Sequence, residues 1–394
     1  MFSEPDITPR PNKKELINVR DYIPFGNDNL FPQALSYYAR SSPNHRGVIN
    51  SKVIYFSGDG IFAVDDKDKE TVNWLDNVNK ERQNLIIQQK KLFLDECVFG
   101  NTYTEFITDQ KRTFLFVNHI DASKCRKAKD GKHIIISPDW RQDKGATDPE
   151  RIVRSIYPEF EPDKENKNIY RSIYHKFSYE PEFTYYGIPG YISARDSVQI
   201  DFKTNRWNLS RLKKSMRLSG ILVVPVSDQD EAQKVLKYVE KNNQGEDNAG
   251  NLLTITKGRA AENEKADQTQ FLPTNQKDEG DWTELHKQSF SDIVIGHSWF
   301  RSLCGAADNT GFDTQRILNE YQIALKTIIS DVQKGWIDLY RQVYYEVLKK
   351  DLQITFKNSP PLNDYSYYKV WEVRESKGLK FNETDPEQNK IILP

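Results

Sequence analysis

The sequence predicts an α+β protein whose chain leaves its body along one helix, builds a small α/β insert and returns along a second helix. Three observations carry this reading. The outgoing stretch, Ser193 to Leu218, ends in FKTNRWNLSRLKKSMRL, which has no acid after Asp201. The insert reads as a strand (221–226), a helix (228–242), a strand (251–256) and a second short strand (270–273). The return stretch, Asp281 to Leu303, runs into the glycine-bearing loop CGAADNTGFD, and another long helix follows.

The remaining elements follow in chain order. Residues 1–20 carry Pro5, Pro9 and Pro11 with scattered basic residues and no periodicity, as expected of a flexible arm. Helices are expected over 31–40 and 44–55, the second started by Ser42-Pro43. A third, over 81–99, turns Leu85, Ile86, Leu92, Phe93 and Cys97 toward a core and stops at Gly100-Asn101. Strands follow over 102–107, 114–118, 133–137 and 170–177, with turns at Asp109-Gln110 and Asp130-Gly131. The charged, irregular run 138–168 reads as surface loop and linker. From Asp313 to Leu348, Leu318, Tyr321, Leu325, Ile328, Val332, Trp336, Leu339, Val343 and Val347 recur at steps of three and four, one face of a long amphipathic helix. Gly335 inside it marks either a bend or a tolerated glycine. A closing strand is expected over 352–357; after Ser359-Pro360-Pro361 the tail is polar, and there is no internal repeat.

Composition narrows the classes. With 394 residues the chain is long enough for a substantial core. A net charge of −1 excludes a uniformly basic nucleic-acid binder, so any contact with a polyanion must come from local clustering. Charged residues at 29% against 37% hydrophobic ones fit a chain with much exposed surface, or one whose missing apolar surface comes from neighbouring subunits. Twenty Tyr and twenty Phe suit interfaces, and equally a strand-rich body. Three cysteines lie far apart without a CxxC pair, which points to a reducing compartment and to neither a disulfide framework nor a zinc site. No run approaches the ~20 apolar residues needed to span a bilayer. The N-terminal stretch has no apolar core like that of a signal peptide, so synthesis and assembly in a cytoplasm are expected.

Chemistry is sparse. If 202–217 is helical, Phe202, Leu209, Leu212 and Met216 form one apolar stripe, with Arg206, Lys213 and Arg217 along one flank. Lys203 and Lys214 lie further round, and Arg211 points roughly away from the stripe. Such a surface suits phosphates in a channel, held without reading bases and weakened by salt. It suits equally a solvated helix paired with acids of a neighbouring subunit. The insert lacks GxxxxGK-S/T and the dinucleotide glycine fingerprint, so no nucleotide site is read there. Six histidines show no HExxH or i,i+4 pairing, and the adjacent acids Asp65-Asp66, Asp95-Glu96 and Asp278-Glu279 read as solvated surface. There is no GxSxG and no Cys–His signature. The chain is therefore expected to be no enzyme, with no cofactor and no metal. Because catalytic groups converge in space rather than in sequence, a DNA-processing, nuclease-type enzyme of a mobile element stands as the alternative.

Four local signatures occur in order: DYIPFGNDNLFP (21–32) followed by SSPNHRGVINSKVIYFSGDGI (41–61), FGNTYTEF (99–106), FTYYGIPGY (183–191) and FSDIVIGHSWFRSLCG (290–305). Together with the helix–insert–helix layout, they resemble the portal protein of tailed bacteriophages, in its PBSX-like form, over about residues 21–356. The resemblance implies an N-terminal arm (1–20), a mixed α/β wing (21–192, resumed over 317–358), a two-helix stem (193–218 and 281–304) and a small α/β clip (219–280). It further implies a tunnel loop (305–316) and a C-terminal tail or short crown (359–394). The constricting part of the loop would be Gly305, Ala306, Ala307, Asp308, Asn309, Thr310, Gly311 and Phe312; without the resemblance it reads as an ordinary helix–helix connection. In function it implies a ring of twelve copies at one capsid vertex of a virion. That ring is a channel for double-stranded DNA during packaging, retention and ejection. It docks the terminase large subunit and then the head–tail adaptor, and it meets the major capsid protein. One departure stands out: family members often have Val-Pro where this chain has Trp299-Phe300, so the resemblance does not fix the end of the second stem helix.

Overall fold

The computed structural model describes residues 7–9, 20–213, 220–226, 229, 230, 232–234, 237, 252–258, 270–273, 279–305, 314–362, 370–380, 382, 384, 386–388 and 390. The fold is α+β, and the chain divides into two compact units, residues 1–195 with 292–394 and residues 196–291.

The larger unit opens with Ile7, buried at 1% exposure. The arm expected to be flexible is therefore seated at this point by an apolar side chain. Helices α1 (Phe31–Ser41) and α2 (Pro43–Ser57) are separated by Ser42, whose hydroxyl accepts from His45 N at 3.4 Å while Pro43 takes a first-turn position where no N–H is needed. A short strand β1 (Gly60–Ala63) and helix α3 (Lys69–Asp76) follow. Helix α4 (Leu85–Phe99) starts four residues later than the periodicity predicts, because Asn84 caps it and Asn79 and Gln83 bond to each other in the preceding turn. It ends where expected, at Gly100, whose φ of +65° is the left-handed value a helix C-terminus favours in glycine.

Strand β2 (Asn101–Asp109) is the centre of an antiparallel sheet, between β3 (Phe116–Ile120) and β8 (Ile169–Phe177), with β7 (Glu161–Pro162) outside β8. A second sheet holds β4 (Cys125–Lys127), β5 (His133–Ile136) and β6 (Ile152–Ser155). Strands β6 and β7 lie in the stretch expected to be loop and linker, which is a correction. The charges that hid them are partners of one another. Arg154 meets Glu105 at 3.5 Å and Asp163 at 3.2 Å, and Arg171 meets Glu105 at 3.2 Å and also Asp163. Burial pushes the Asp163 carboxyl up, but the Glu165 N–H and the two guanidiniums outweigh it and hold the group below its usual range.

Helix α7 (Thr314–Ala324) runs through a π-helical stretch at Leu325–Ile329 into α8 (Ser330–Leu348). Sequence spacing places Ile328 and Val332 on the buried face, yet Ile329 and Gln333 are buried instead. The wider π turn shifts the register of the face by one residue. Trp336, fully buried, anchors the helix: its Nε1 donates to Glu96 at 3.0 Å, and Lys176 Nζ sits 4.7 Å over its ring. Strand β12 (Ile354–Lys357) pairs antiparallel with β1, and a short helix α9 (Val370–Ser376) lies in the tail. A Cβ on Gly335 would meet nothing within 4 Å, so this glycine marks no close approach. Replacing it with alanine is expected to stabilise the protein by about 0.4–1 kcal/mol through the unfolded chain, read as a rise in the urea midpoint; an unchanged or lower midpoint would mean that the position is constrained in some other way.

In the smaller unit, helix α5 (Arg195–Lys213) leads into a three-stranded sheet of order β10-β9-β11. The strands are β9 (Gly220–Val226), β10 (Leu252–Gly258) and β11 (Gln270–Pro273), close to the expected spans. Strand β10 is parallel to β9, which requires a crossover, and residues 229, 230, 232–234 and 237 of that crossover are helical. Pro225 lies beyond the part of β9 that β11 covers, Gly220 to Val223, so it stands where the strand has a neighbour on the β10 side alone among the described residues. Helix α6 (Glu279–Gly296) forms the return.

Candidate functional site

Two features singled out by sequence are the basic helix and the loop after the return helix. Helix α5 carries Asp196 in its first turn, where a carboxylate suits the positive end of the helix dipole. Its Asp201 is fully buried and takes His286 Nε2 of α6 at 3.1 Å, while Asn205 Nδ2 donates to the Asp201 carbonyl at 2.8 Å. The last acid before the basic run thus ties the two helices together. Lys203 and Arg206 are exposed, and the Arg206 guanidinium lies 5.4 Å over the Phe202 ring. Arg211 and Lys213 belong to the described helical backbone, whereas Lys214 and Arg217 lie outside the described residues.

The apolar stripe needs correction. Phe202 is buried, but Leu209 is 51% exposed, and Arg206, Trp207, Asn208 and Leu209 are exposed in succession. Four consecutive residues sweep a full helical turn, so at this level all sides of α5 are open within its unit. Met216 lies outside the described residues.

The return segment belongs to the larger unit and settles what Trp299-Phe300 does. Helix α6 ends at Gly296, where a Cβ would come within 2.5 Å of Ala194 Cβ. Ser298 then takes a φ of +49° and turns the chain, so that Trp299 is buried against α2. Trp299 Nε1 donates to Ser51 Oγ at 2.9 Å, Ser51 Oγ donates to the Leu303 carbonyl at 2.8 Å, and Lys52 Nζ donates to the His297 carbonyl at 3.0 Å. Gly305 closes a short 3-10 turn with a φ of +73°. Of the eight residues expected to form the constriction, Gly305 alone is described; Ala306, Ala307, Asp308, Asn309, Thr310, Gly311 and Phe312 lie outside the described residues, and Thr314, Gln315 and Arg316, expected in the loop, belong to α7 instead. Glu320 of α7 meets Ser302 Oγ, before residues 306–313, and Arg316 Nε, after them, at 2.8 Å.

Sequence reasoning did not anticipate the contact between His45 and His297, 2.9 Å apart, because nothing in a linear pattern links residues 252 positions distant. Burial pushes the Cys97 thiol up to about 12 and the Cys304 thiol to about 11, so neither is a nucleophile at neutral pH. Among the described residues no group of three or more His, Cys, Asp or Glu side chains is placed to hold a metal ion, and no helix is long and apolar enough to cross a membrane. A cleft of about 60 Å³, lined by Pro9, Phe25, Phe31, Phe183, Tyr185 and Tyr186 among others, is far smaller than sites for drug-sized ligands.

No protein-family model and no curated protein matches the chain. Solved structures do. A chain of the neck of an empty gene transfer agent (GTA) particle is similar with a TM-score of 0.56 at 12% identity, covering 89% of this chain and 94% of that one. The neck of the native GTA particle, computed with twelvefold symmetry, gives 0.54 at 13% identity over 89% and 95%. An HK97-family phage portal protein from Corynebacterium diphtheriae gives 0.40 at 9% identity over 72% and 83%. The chain therefore shares its fold with the GTA neck chains over nearly the whole length of both.

Proposed function

We propose that this chain is a phage-type portal protein, a non-enzymatic subunit of a ring at one capsid vertex through which double-stranded DNA is packaged, retained and ejected. The observation that carries the reading is the shared fold with a GTA neck chain over 89% of this chain, and the ordered motifs of the sequence point the same way. In this reading residues 21–192 and 317–358 are wing, 193–218 and 281–304 stem, 219–280 clip and 305–316 tunnel loop. The clip receives the terminase large subunit and later the head–tail adaptor, the wing meets the major capsid protein, and residues 359–394 make a short crown. The open turn at Arg206–Leu209 fits a helix whose remaining cover comes from the next copy in a ring.

Ring formation is the first test. Twelve copies of a 46.0 kDa chain give a particle of about 550 kDa by native mass spectrometry or light scattering. A chain that stays monomeric even when co-expressed with its capsid protein, and that cuts DNA with magnesium, would return the nuclease reading.

The basic helix and the loop have separate tests. Replacing Lys203, Arg211 and Lys214 together with Gln is expected to weaken either DNA passage, with a flatter salt dependence, or ring stability. Unchanged packaging and unchanged ring mass would make the basic run idle surface. Deleting Ala306–Thr310 should leave ring assembly intact and impair packaging or retention. Collapse of assembly would show that the loop has been misplaced.

A further inference from the structure

At the end of the return helix two imidazoles meet in the interior. His45 of α2 is fully buried and His297 is 4% exposed, with His45 Nδ1 2.9 Å from His297 Nε2. The contact needs one donor and one acceptor nitrogen, so it is lost once both facing nitrogens carry a proton. His45 Nε2 is buried without a hydrogen-bond partner. An orphan acceptor is better tolerated inside a protein than an orphan N–H, so His45 carries its proton on Nδ1 and donates. A second proton on this ring would create an unpaired N–H at that orphan position.

The charged groups around the pair work against such a proton. From α2, Arg46 acts on His45 and Lys52 on His297. From the turn before α5, Tyr191 packs on both rings, at 4.3 Å and 4.8 Å between centroids, and its hydroxyl donates to the Val98 carbonyl of α4. Helix α4 also brings Cys97, a neutral thiol, and Glu96, whose carboxylate is taken by Lys176 and Trp336. No carboxylate is among the groups acting on either imidazole. Burial first and Arg46 second hold His45 at about 3; burial first, then His45 itself and then Lys52, hold His297 well below its ordinary 6.5.

We propose that the His45–His297 pair is an acid-operated latch, and that proton uptake by both rings releases residues 297–305 from α2. The released segment is the one held by Lys52 on the His297 carbonyl and by Ser51 between Trp299 and Leu303. The latch is independent of the portal reading, since it rests on this packing alone. The sign follows from linkage. Both groups have a folded pKa below the value of 6.5 they regain once exposed, so their contribution is complete above 6.5 and is lost as the pH falls from there toward 3.

Amide hydrogen exchange of the full chain, corrected for intrinsic rates, tests the latch. With two protons taken up on opening, protection across 297–305 is expected to fall on the order of a thousandfold between pH 7.5 and pH 5. In His297→Gln only one titrating ring remains, and the fall should shrink to roughly thirtyfold. A wild-type fall of less than tenfold, or an undiminished fall in the variant, overturns the proposal. Should the variant not fold, the wild-type series decides alone, because its steepness counts the protons.

Discussion

Arg126→Met is expected to destabilise the larger unit by roughly 3–5 kcal/mol, because it strands several buried acceptors at about 1–3 kcal/mol each. Arg126 is fully buried, yet among the described residues no carboxylate is one of its hydrogen-bond partners. Its Nε donates to Asn29 Oδ1 at 2.6 Å, and its two terminal nitrogens reach the carbonyls of Asn29, Ser123 and Cys125 and the Gln33 side chain. Its guanidinium lies 5.0 Å over Trp140, a favourable face for a cation. Burial pulls its pKa below the ordinary value, but a guanidinium remains charged at neutral pH. Methionine keeps the apolar stem and strands the acceptors, each a buried group that has lost its donor. Arg126→Lys should fall between wild type and Met, because one compact ammonium does not span acceptors laid out for a planar fork. The urea midpoint with an unchanged slope measures this, and a Met variant within about 0.5 kcal/mol of wild type would sink the argument.

The same side chain shows what sequence can and cannot reveal. Its acceptors include Asn29, which sits at a φ of +66° inside the DYIPFGNDNLFP motif; the motif reads only as a signature, and neither its turn nor its partner is seen in it. Gly100 and Asn101 are legible in part. A glycine after an apolar helix reads as a stop, and the structure makes it one. Only in three dimensions does Asn101 clip Gly187, its Oδ1 accepting from Gly187 N at 2.9 Å and its Nδ2 donating to the Gly187 carbonyl at 2.8 Å. The insert was legible because β9 to β11 are short runs bounded by turn residues. Strand β6 was not, because its four residues stand inside a charged, irregular run, and the partners of Arg154 meet it only in three dimensions. The π stretch escaped for a different reason: Ile328 stands beside Ile329, and spacing alone favours Val332 over the polar Gln333 that is in fact buried. At the candidate site the periodicity groups Phe202 and Leu209 on one stripe, but it does not reveal that Phe202 is buried and Leu209 is 51% exposed within its unit.

Gly187→Ala should cost on the order of 3 kcal/mol or more, in the long tail of single substitutions, because nothing near it can yield cheaply. A Cβ there would stand 2.4 Å from the Gly100 carbonyl oxygen and 2.7 Å from both N and O of Ser178, all of them backbone. The Ser178 N–H donates to that same Gly100 oxygen at 2.9 Å, so the start of β2, the end of β8 and the FTYYGIPGY segment converge on one point. Relieving the clash means opening that junction, and with it the Asn101 clip. Gly100→Ala should cost a similar amount by a second route, since its φ of +65° disfavours a side chain and its Cβ would meet the Ile188 backbone at 2.7 Å. The two substitutions crowd the same gap from opposite sides. Their effects should therefore fall short of additive, by 0.5 kcal/mol or more in a double-mutant cycle on urea midpoints. Strict additivity would mean that the two glycines serve separate contacts, and that the order of motifs along the chain has no common anchor at this junction.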